Sequence, residues 1–293
     1  MIRKKPSISI FFPFLNDWGT VGSLVGLSIA TVEKLTDDWE MVIVNDGSRE
    51  EDREALEMII NVILSTFDKL SVNSAKNPIA KSKSIGDPSS VSRRTQDDKK
   101  RIRIIHHEKN RGYGGALRSG FEAAKKDLIF YTDCDAQYDP RELVKLYHAL
   151  KPGVDMVNGY KIKRNDPWIR VVAGRIYHYA VKFAFNLPIR DTDCDFRLIR
   201  RKVFDPSIRA SSEPQPNSLG RTVVRLFENT GTICVELVKK IDYYGYKITE
   251  VPVHHFWRTS GKSQFFNFGR LYKTGVNLLR LWWKLIVKKE YYS

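Results

Sequence analysis

Asp133 and Asp135 stand one residue apart in Tyr131-Thr132-Asp133-Cys134-Asp135-Ala136-Gln137, directly after the apolar run Leu128–Thr132. Two carboxylates where a strand becomes a loop can aim oxygen atoms at one hard cation, Mg²⁺ or Mn²⁺, with substrate phosphates completing its shell. Alone, such a pair is more often an ordinary solvated turn, so its neighbours decide. Phe12-Pro13-Phe14-Leu15-Asn16-Asp17 ends a first strand and Val44-Asn45-Asp46-Gly47-Ser48 a second. Arg111-Gly112-Tyr113-Gly114-Gly115-Ala116 follows a third and opens a helix. Parallel strands deliver these turns to one sheet edge, the edge where open α/β sheets bind ligands. Asp46 can accept hydrogen bonds from a base or ribose. Gly112, Gly114 and Gly115 allow close backbone approach beside a helix N-terminus suited to phosphate.

The elements that must position these residues alternate. Strands are expected at Ser7–Phe12, Glu40–Val44, Ile102–His106 and Leu128–Thr132, with helices at Gly22–Lys34, about Glu50 to Leu64, and Gly114–Lys125. Pro13 is expected to end the first strand. Further on, the pattern predicts a helix over Glu142–Leu150, an apolar stretch at Asp155–Gly159 and a helix over Trp168–Phe185. A helix over Thr232–Gly245 and a late strand at Lys247–Val253 follow. This rhythm implies βαβ units and a mixed, mainly parallel sheet with helices on both faces. Ser65–Arg101, rich in Ser, Lys, Asn, Asp and Pro, interrupts it and reads as an inserted mobile loop.

The 293 residues are 42% hydrophobic and 28% charged, enough apolar material for a substantial core. The three cysteines, Cys134, Cys194 and Cys234, are widely spaced, which excludes a disulfide framework and favours a reducing compartment. Met1–Phe14 reads as a first strand and not as a secretion signal, and nowhere are there 18 uninterrupted apolar residues. A net charge of +15 suits an anionic partner. Nucleic acid is not the expected one: there is no RNP motif, zinc-finger spacing or basic zipper, and the basic residues surround substrate motifs. His106-His107 and His254-His255 are adjacent pairs, whose members point to opposite faces of a strand, and they read as structural.

Taken together, these segments resemble the family 2 glycosyltransferases with a GT-A fold, most closely the dolichyl-phosphate and polyprenyl-phosphate sugar synthases. The resemblance also runs through Arg190-Asp191-Thr192-Asp193-Cys194-Asp195-Phe196-Arg197 and Trp257-Arg258-Thr259-Ser260-Gly261-Lys262-Ser263. It implies an inverting, metal-dependent enzyme that moves a sugar from a UDP- or GDP-sugar to a polyprenyl-type phosphate. Asp46 then resembles the base-recognising aspartate, with Pro13 and Asn16 shaping the same pocket and Gly114 beside it. Asp133 resembles the first aspartate near ribose and diphosphate, and Asp135 with Gln137 the metal-binding pair. Lys161 and Arg175 sit where these synthases contact the lipid phosphate. Arg258 and Lys262 resemble a late basic motif over the donor diphosphate. The expected catalytic set is Asp133, Asp135, Asp193 and Arg197.

Two departures stand out. Lys161 replaces an arginine, keeping charge but losing bidentate geometry. Cys194-Asp195-Phe196-Arg197 replaces Ser-Gly-Phe-Arg, adding a carboxylate near the acceptor. A hydroxyl acceptor, with Asp193 or Asp195 as its base, is the alternative; a pseudoenzyme that only binds a lipid or a partner is another. Residues 1–264 are expected to form the catalytic domain and 265–293 an amphipathic helix. There Arg270, Lys273, Asn277, Arg280, Lys284 and Lys288 form a basic stripe beside Leu279, Trp282 and Trp283. That helix can lie on a membrane or pack on the domain. A peripheral position at the cytoplasmic face is expected, alone or with a membrane-protein partner.

Overall fold

The computed structural model describes residues 5–76, 101–162, 178–205, 223–257 and 268–291. Seven strands form one sheet: β1 Ile8–Phe14, β2 Trp39–Asn45, β3 Ile102–His106, β4 Leu128–Thr132, β5 Met156–Lys161, β6 Phe196–Arg200 and β7 Ile248–Val253. Their order is β3-β2-β1-β4-β6-β5-β7. All pairings are parallel except those of β6, which runs antiparallel to both β4 and β5. The helices are α1 Trp18–Leu35, α2 Glu50–Lys76, α3 Tyr113–Ala123, α4 Leu143–Ala149, α5 Ile233–Tyr243 and α6 Phe268–Trp282. A helical stretch also spans 178–185.

Both sheet faces are covered, which is why the central strands read as unbroken apolar runs. Along β1, Ile8, Ile10, Phe12 and Phe14 enter one core with Leu24, Val25 and Ile29 of α1 and Leu143 and Leu146 of α4. Phe11 points the other way, into a core with Leu117 and Phe121 of α3 and Leu237 and Ile241 of α5. Leu281 and Leu285 belong to this second core and are fully buried. The end of α6 therefore packs on the domain. Among the described residues no helix is long and apolar enough to cross a membrane.

Two expected boundaries shift and one strand is added. β1 continues through Pro13, which pairs with Val44 of β2. On the other side the ladder with β4 ends at the Phe11–Tyr131 pair, so the N–H that proline lacks is not missed there. α2 runs to Lys76, twelve residues past Leu64 and into the expected loop; residues 77–100 lie outside the described residues. β6 is a strand missing from the expected elements. Because it enters the sheet backwards, its start at Phe196 lies beside Thr132, the end of β4. The 191–195 turn is thereby brought to the edge that carries Asp133 and Asp135.

Candidate active site

β1, β2 and β4 all end at this edge. Asn16 leaves β1 with φ 57°, a left-handed conformation that asparagine tolerates better than most residues. Its Oδ1 accepts the Arg49 N–H at 3.0 Å and its own N–H donates to Ser48 Oγ at 3.1 Å, joining the β1 and β2 turns. Asp46 is 3% exposed. Its Oδ1 accepts the Arg111 main-chain N–H at 2.9 Å and lies 2.7 Å from His107 Nδ1. The three turns expected to converge are hydrogen-bonded to one another.

The glycines after β3 have a different use from the expected one. A Cβ on Gly112, which has φ 82°, would stand 2.2 Å from the Asn229 carbonyl oxygen. One on Gly114 would stand 2.2 Å from that of Glu228. The Gly114 N–H donates to Asn229 O at 3.0 Å. Gly114 is thus committed to residues 228–229 of the chain itself, so its amide is not available to a nucleotide phosphate. Glu236, a buried residue of α5, holds this segment by accepting the Phe227 N–H at 3.0 Å and the Glu228 N–H at 2.9 Å. Burial raises the Glu236 carboxyl and lowers the Lys240 ammonium, which pair at 3.0 Å.

At the end of β4, Asp133 Oδ1 accepts the Tyr113 hydroxyl at 2.6 Å. Burial first, and the Asp133 carboxylate next, push the Tyr113 phenol well above its usual range, so it donates and does not ionise. Asp135 is 5% exposed and its Oδ1 accepts the Gln137 N–H at 3.1 Å. Ala136 between them has φ 57°, a strain of about 1–2 kcal/mol for a residue with a Cβ. Gln137 is pinned beyond it: its Nε2 donates to Phe256 O at 3.1 Å and its carbonyl accepts the Phe256 N–H at 2.8 Å. Strain maintained by such contacts is characteristic of functional turns.

Among the described residues there is no group of three or more His, Cys, Asp and Glu side chains placed to hold a metal. Asp133, Asp135 and Gln137 offer two carboxylates and an amide, all hard oxygen donors. That set fits a Mg²⁺ or Mn²⁺ ion whose remaining ligands come from a diphosphate, and does not make a complete protein cage.

Before β6, the Asp191 carboxylate closes its own turn, accepting the Asp193 N–H and the Lys161 N–H, each at 3.1 Å. Lys161 Nζ donates to Asp193 O at 2.7 Å, which places one hydrogen of the ammonium on the 191–195 turn. Asp193 Oδ1 lies 3.5 Å from Thr192 Oγ1, itself 3.2 Å from His178 Nδ1.

Arg197 and Asp195 depart from expectation together. Arg197 has no exposed surface, so it is not a group that meets a substrate. Its Nε donates to Asn158 Oδ1 at 2.7 Å, one terminal nitrogen to Thr192 O at 2.9 Å and the other to the Tyr131 hydroxyl. Asp195 Oδ1 lies 3.6 Å from that guanidinium and accepts the Cys234 thiol at 3.0 Å. Burial, and then Asp195, push this thiol well above its usual range, so it stays protonated. Burial opposes the charge on Arg197, but its partners outweigh that and keep it a cation. The pair is a buried buttress under the 191–195 turn. The sequence signal was available: a motif arginine inside Asp195-Phe196-Arg197-Leu198-Ile199, a strand-like run. Arg175, Arg258 and Lys262 lie outside the described residues.

Known proteins resemble this chain in sequence and in fold. Residues 87–206 match the family described as Glycosyl transferase family 2. An undecaprenyl-phosphate 4-deoxy-4-formamido-L-arabinose transferase of Yersinia pestis is 24% identical over 260 residues, covering 88% of this chain and 62% of that protein. Glycosyltransferase AglD of Haloferax volcanii is 24% identical over 96% of this chain and 38% of its own length. The chain thus spans about three fifths or less of these curated relatives. Glucosyl-3-phosphoglycerate synthase from Mycobacterium tuberculosis, solved with Mn²⁺, UDP and phosphoglyceric acid, superposes with a TM-score of 0.59. Its identity is 14%, with 94% of this chain and 78% of that one covered. The same synthase has been solved with Mg²⁺ and UDP, again with a TM-score of 0.59 at 14% identity, over 94% of this chain and 79% of that one. At such identity the likeness establishes the fold.

Proposed function

We propose that this chain, whose residues 87–206 match the family 2 glycosyltransferase model and whose fold is that of the GT-A enzymes, transfers a sugar from a UDP- or GDP-sugar to a polyprenyl-type phosphate, with inversion. The observation that carries this reading is the meeting of three groups at one edge: Asp46, the Asp133–Gln137 turn and the Lys161–Asp193 turn. Asp46 takes the base, in a pocket shaped by Pro13 and Asn16. Asp133 lies toward the ribose and diphosphate, its carboxylate oriented by Tyr113. Asp135 and Gln137 would hold a Mg²⁺ or Mn²⁺ ion, which supplies positive charge to the departing diphosphate. By the same resemblance, Arg258 and Lys262 would add to that charge.

The acceptor approaches from the Lys161 side, opposite the leaving group, and Arg175 would complete its phosphate site. A lipid phosphate is already anionic at neutral pH and needs placement more than a base. The structural commitment of Asp191 and Asp195 favours that acceptor. Curated relatives named as undecaprenyl-phosphate transferases support the same choice.

A peripheral position on the cytoplasmic face of a membrane, with or without a membrane-protein partner, goes with such an acceptor. Tyr272, Leu279 and Trp283 are exposed along α6 and the turn that follows it, as are Tyr179 and Phe183 on the 178–185 helix. Trp282 Nε1 donates to Ala184 O at 2.9 Å and joins the two elements. Aromatic residues beside lysines suit a bilayer interface.

The test is transfer from a panel of UDP- and GDP-sugars, with Mn²⁺ or Mg²⁺, with and without a short polyprenyl phosphate. Label entering the lipid phase from one donor is the expected result. Donor turnover without lipid labelling would move the acceptor to a hydroxyl and make Asp193 the base to examine. A second assay follows vesicles containing anionic lipid. Leu279→Asp with Trp283→Ser should lower binding while leaving the buried Leu281 and Leu285 in place, and unchanged binding would remove the interfacial role.

A further inference from the structure

A chain of three hydrogen-bonded side chains runs beneath the nucleotide end of the edge. Asp46 Oδ1 is 2.7 Å from His107 Nδ1, and His107 Nε2 is 2.8 Å from Ser119 Oγ. Asp46 and His107 are buried, at 3% and 6% exposure. A carboxylate only accepts, so the shared hydrogen is on Nδ1. In the neutral ring that tautomer leaves Nε2 to accept the Ser119 hydroxyl. Acid, imidazole and hydroxyl in this order also make up the relay of serine hydrolases. Here, however, Ser119 lies in the interior of α3, where main-chain N–H groups are bonded along the helix and offer no oxyanion site. The relay therefore acts toward Asp46 and not toward the serine.

We propose that His107 and Ser119 are positioning residues for the donor's nucleobase, a role that rests on Asp46 being the base contact. His107 and the Arg111 main-chain N–H both donate to Oδ1. Among the described residues Oδ2 accepts no hydrogen bond, and it is the oxygen presented to the imide or amide N–H of a uracil or guanine. Backbone bonds fix the same corner, from Asp46 N to Phe14 O at 2.9 Å and from His107 N to Asn45 O at 2.8 Å. With its rotation blocked, the carboxylate meets the base without having to be ordered first. Ser119 and Tyr113 share α3, so one helix orients both Asp46 and Asp133.

The experiment measures binding of UDP and GDP to the full chain by calorimetry, with thermal unfolding alongside, for Asp46→Ala, His107→Ala, His107→Gln and His107→Asn. An asparagine amide stands near the place of Nδ1 and can still donate to Asp46, whereas a glutamine amide stands near Nε2 and cannot. His107→Ala and His107→Gln should weaken the nucleotide that wild type binds by roughly tenfold, the scale on which loss of a supporting shell loosens a site. His107→Asn should stay close to wild type. In turnover, the donor KM should rise while kcat at saturating donor and the acceptor KM hold. Equal losses in all three His107 variants, following their unfolding temperatures, would overturn the positioning role. Intact binding in His107→Ala beside lost binding in Asp46→Ala would do the same. Intact binding in Asp46→Ala would instead remove the base contact itself, and this inference with it.

Discussion

Two parts of one sheet edge, the end of β2 and the turn before β6, each carry a largely buried aspartate, and the two are held in opposite ways. Asp46 receives the Arg111 N–H and the His107 ring on a single oxygen. Asp195 is set against the buried Arg197 guanidinium, the Cys234 thiol and the Tyr131 hydroxyl. The first arrangement orients a carboxylate and leaves part of it for a ligand. The second neutralises a carboxylate inside the protein. Position at the functional edge does not assign a role to an acid; its partners do, because a buried charge needs compensation before it can do anything else.

The sharpest way to probe the contrast starts between the two sides, at Asp135. Asp135→Ala should lower metal-dependent transfer by roughly 10²–10³-fold, the scale of losing one preorganised charge-stabilising group. The fold, followed by circular dichroism, should be retained, and an unchanged rate would misplace the metal. Next is the buttress. Arg197→Met should cost about 3–5 kcal/mol in chemical denaturation, because Asp195 is left without its cation. A loss below about 1 kcal/mol would mean that the pair is not the support described here. Asp195→Asn should keep turnover within about tenfold with an unaltered pH profile. Removing a true general base would cost about 10²–10⁴-fold and remove a limb of that profile.

The smallest effect concerns the link between α4 and the end of β7. Glu142 accepts the His254 main-chain N–H at 2.8 Å and lies 2.7 Å from His254 Nδ1. Burial would raise its carboxyl, but hydrogen bonds from Lys145 and His254 outweigh that and hold it below its usual 4.5. A depressed acid binds fewer protons folded than unfolded, so its contribution is present above pH 4.5 and disappears as pH falls through the lowered value. The urea midpoint of Glu142→Gln should therefore lie below that of wild type at pH 7 and converge with it in acid. A constant gap would place the contribution elsewhere than in the ionised pair.

Legibility followed the range of the forces. Asp133, Asp135, Asp46 and Asn16 could be placed in advance because each closes a strand with local turn chemistry, and parallel strands must send such turns to one edge. The glycines at 112 and 114 were visible as places of close approach, but not what approaches. Residues 228–229, more than a hundred positions later, fill that space. His107 read as structural because adjacent strand residues such as His106 and His107 point to opposite faces; its bond to Asp46 comes from β3 lying beside β2.

Composition, strand periodicity and turn residues thus determined an α/β sheet covered on both faces and the carboxylates at its edge. All of these act within a few residues along the chain. The tertiary structure decided which of the charges remain for a ligand. Arg197, a residue type rarely buried, loses all contact with solvent because β6 enters antiparallel between β4 and β5. That pairing brings Asn158, Tyr131 and Thr192 to its guanidinium, so its desolvation is offset by partners that no local stretch of sequence contains.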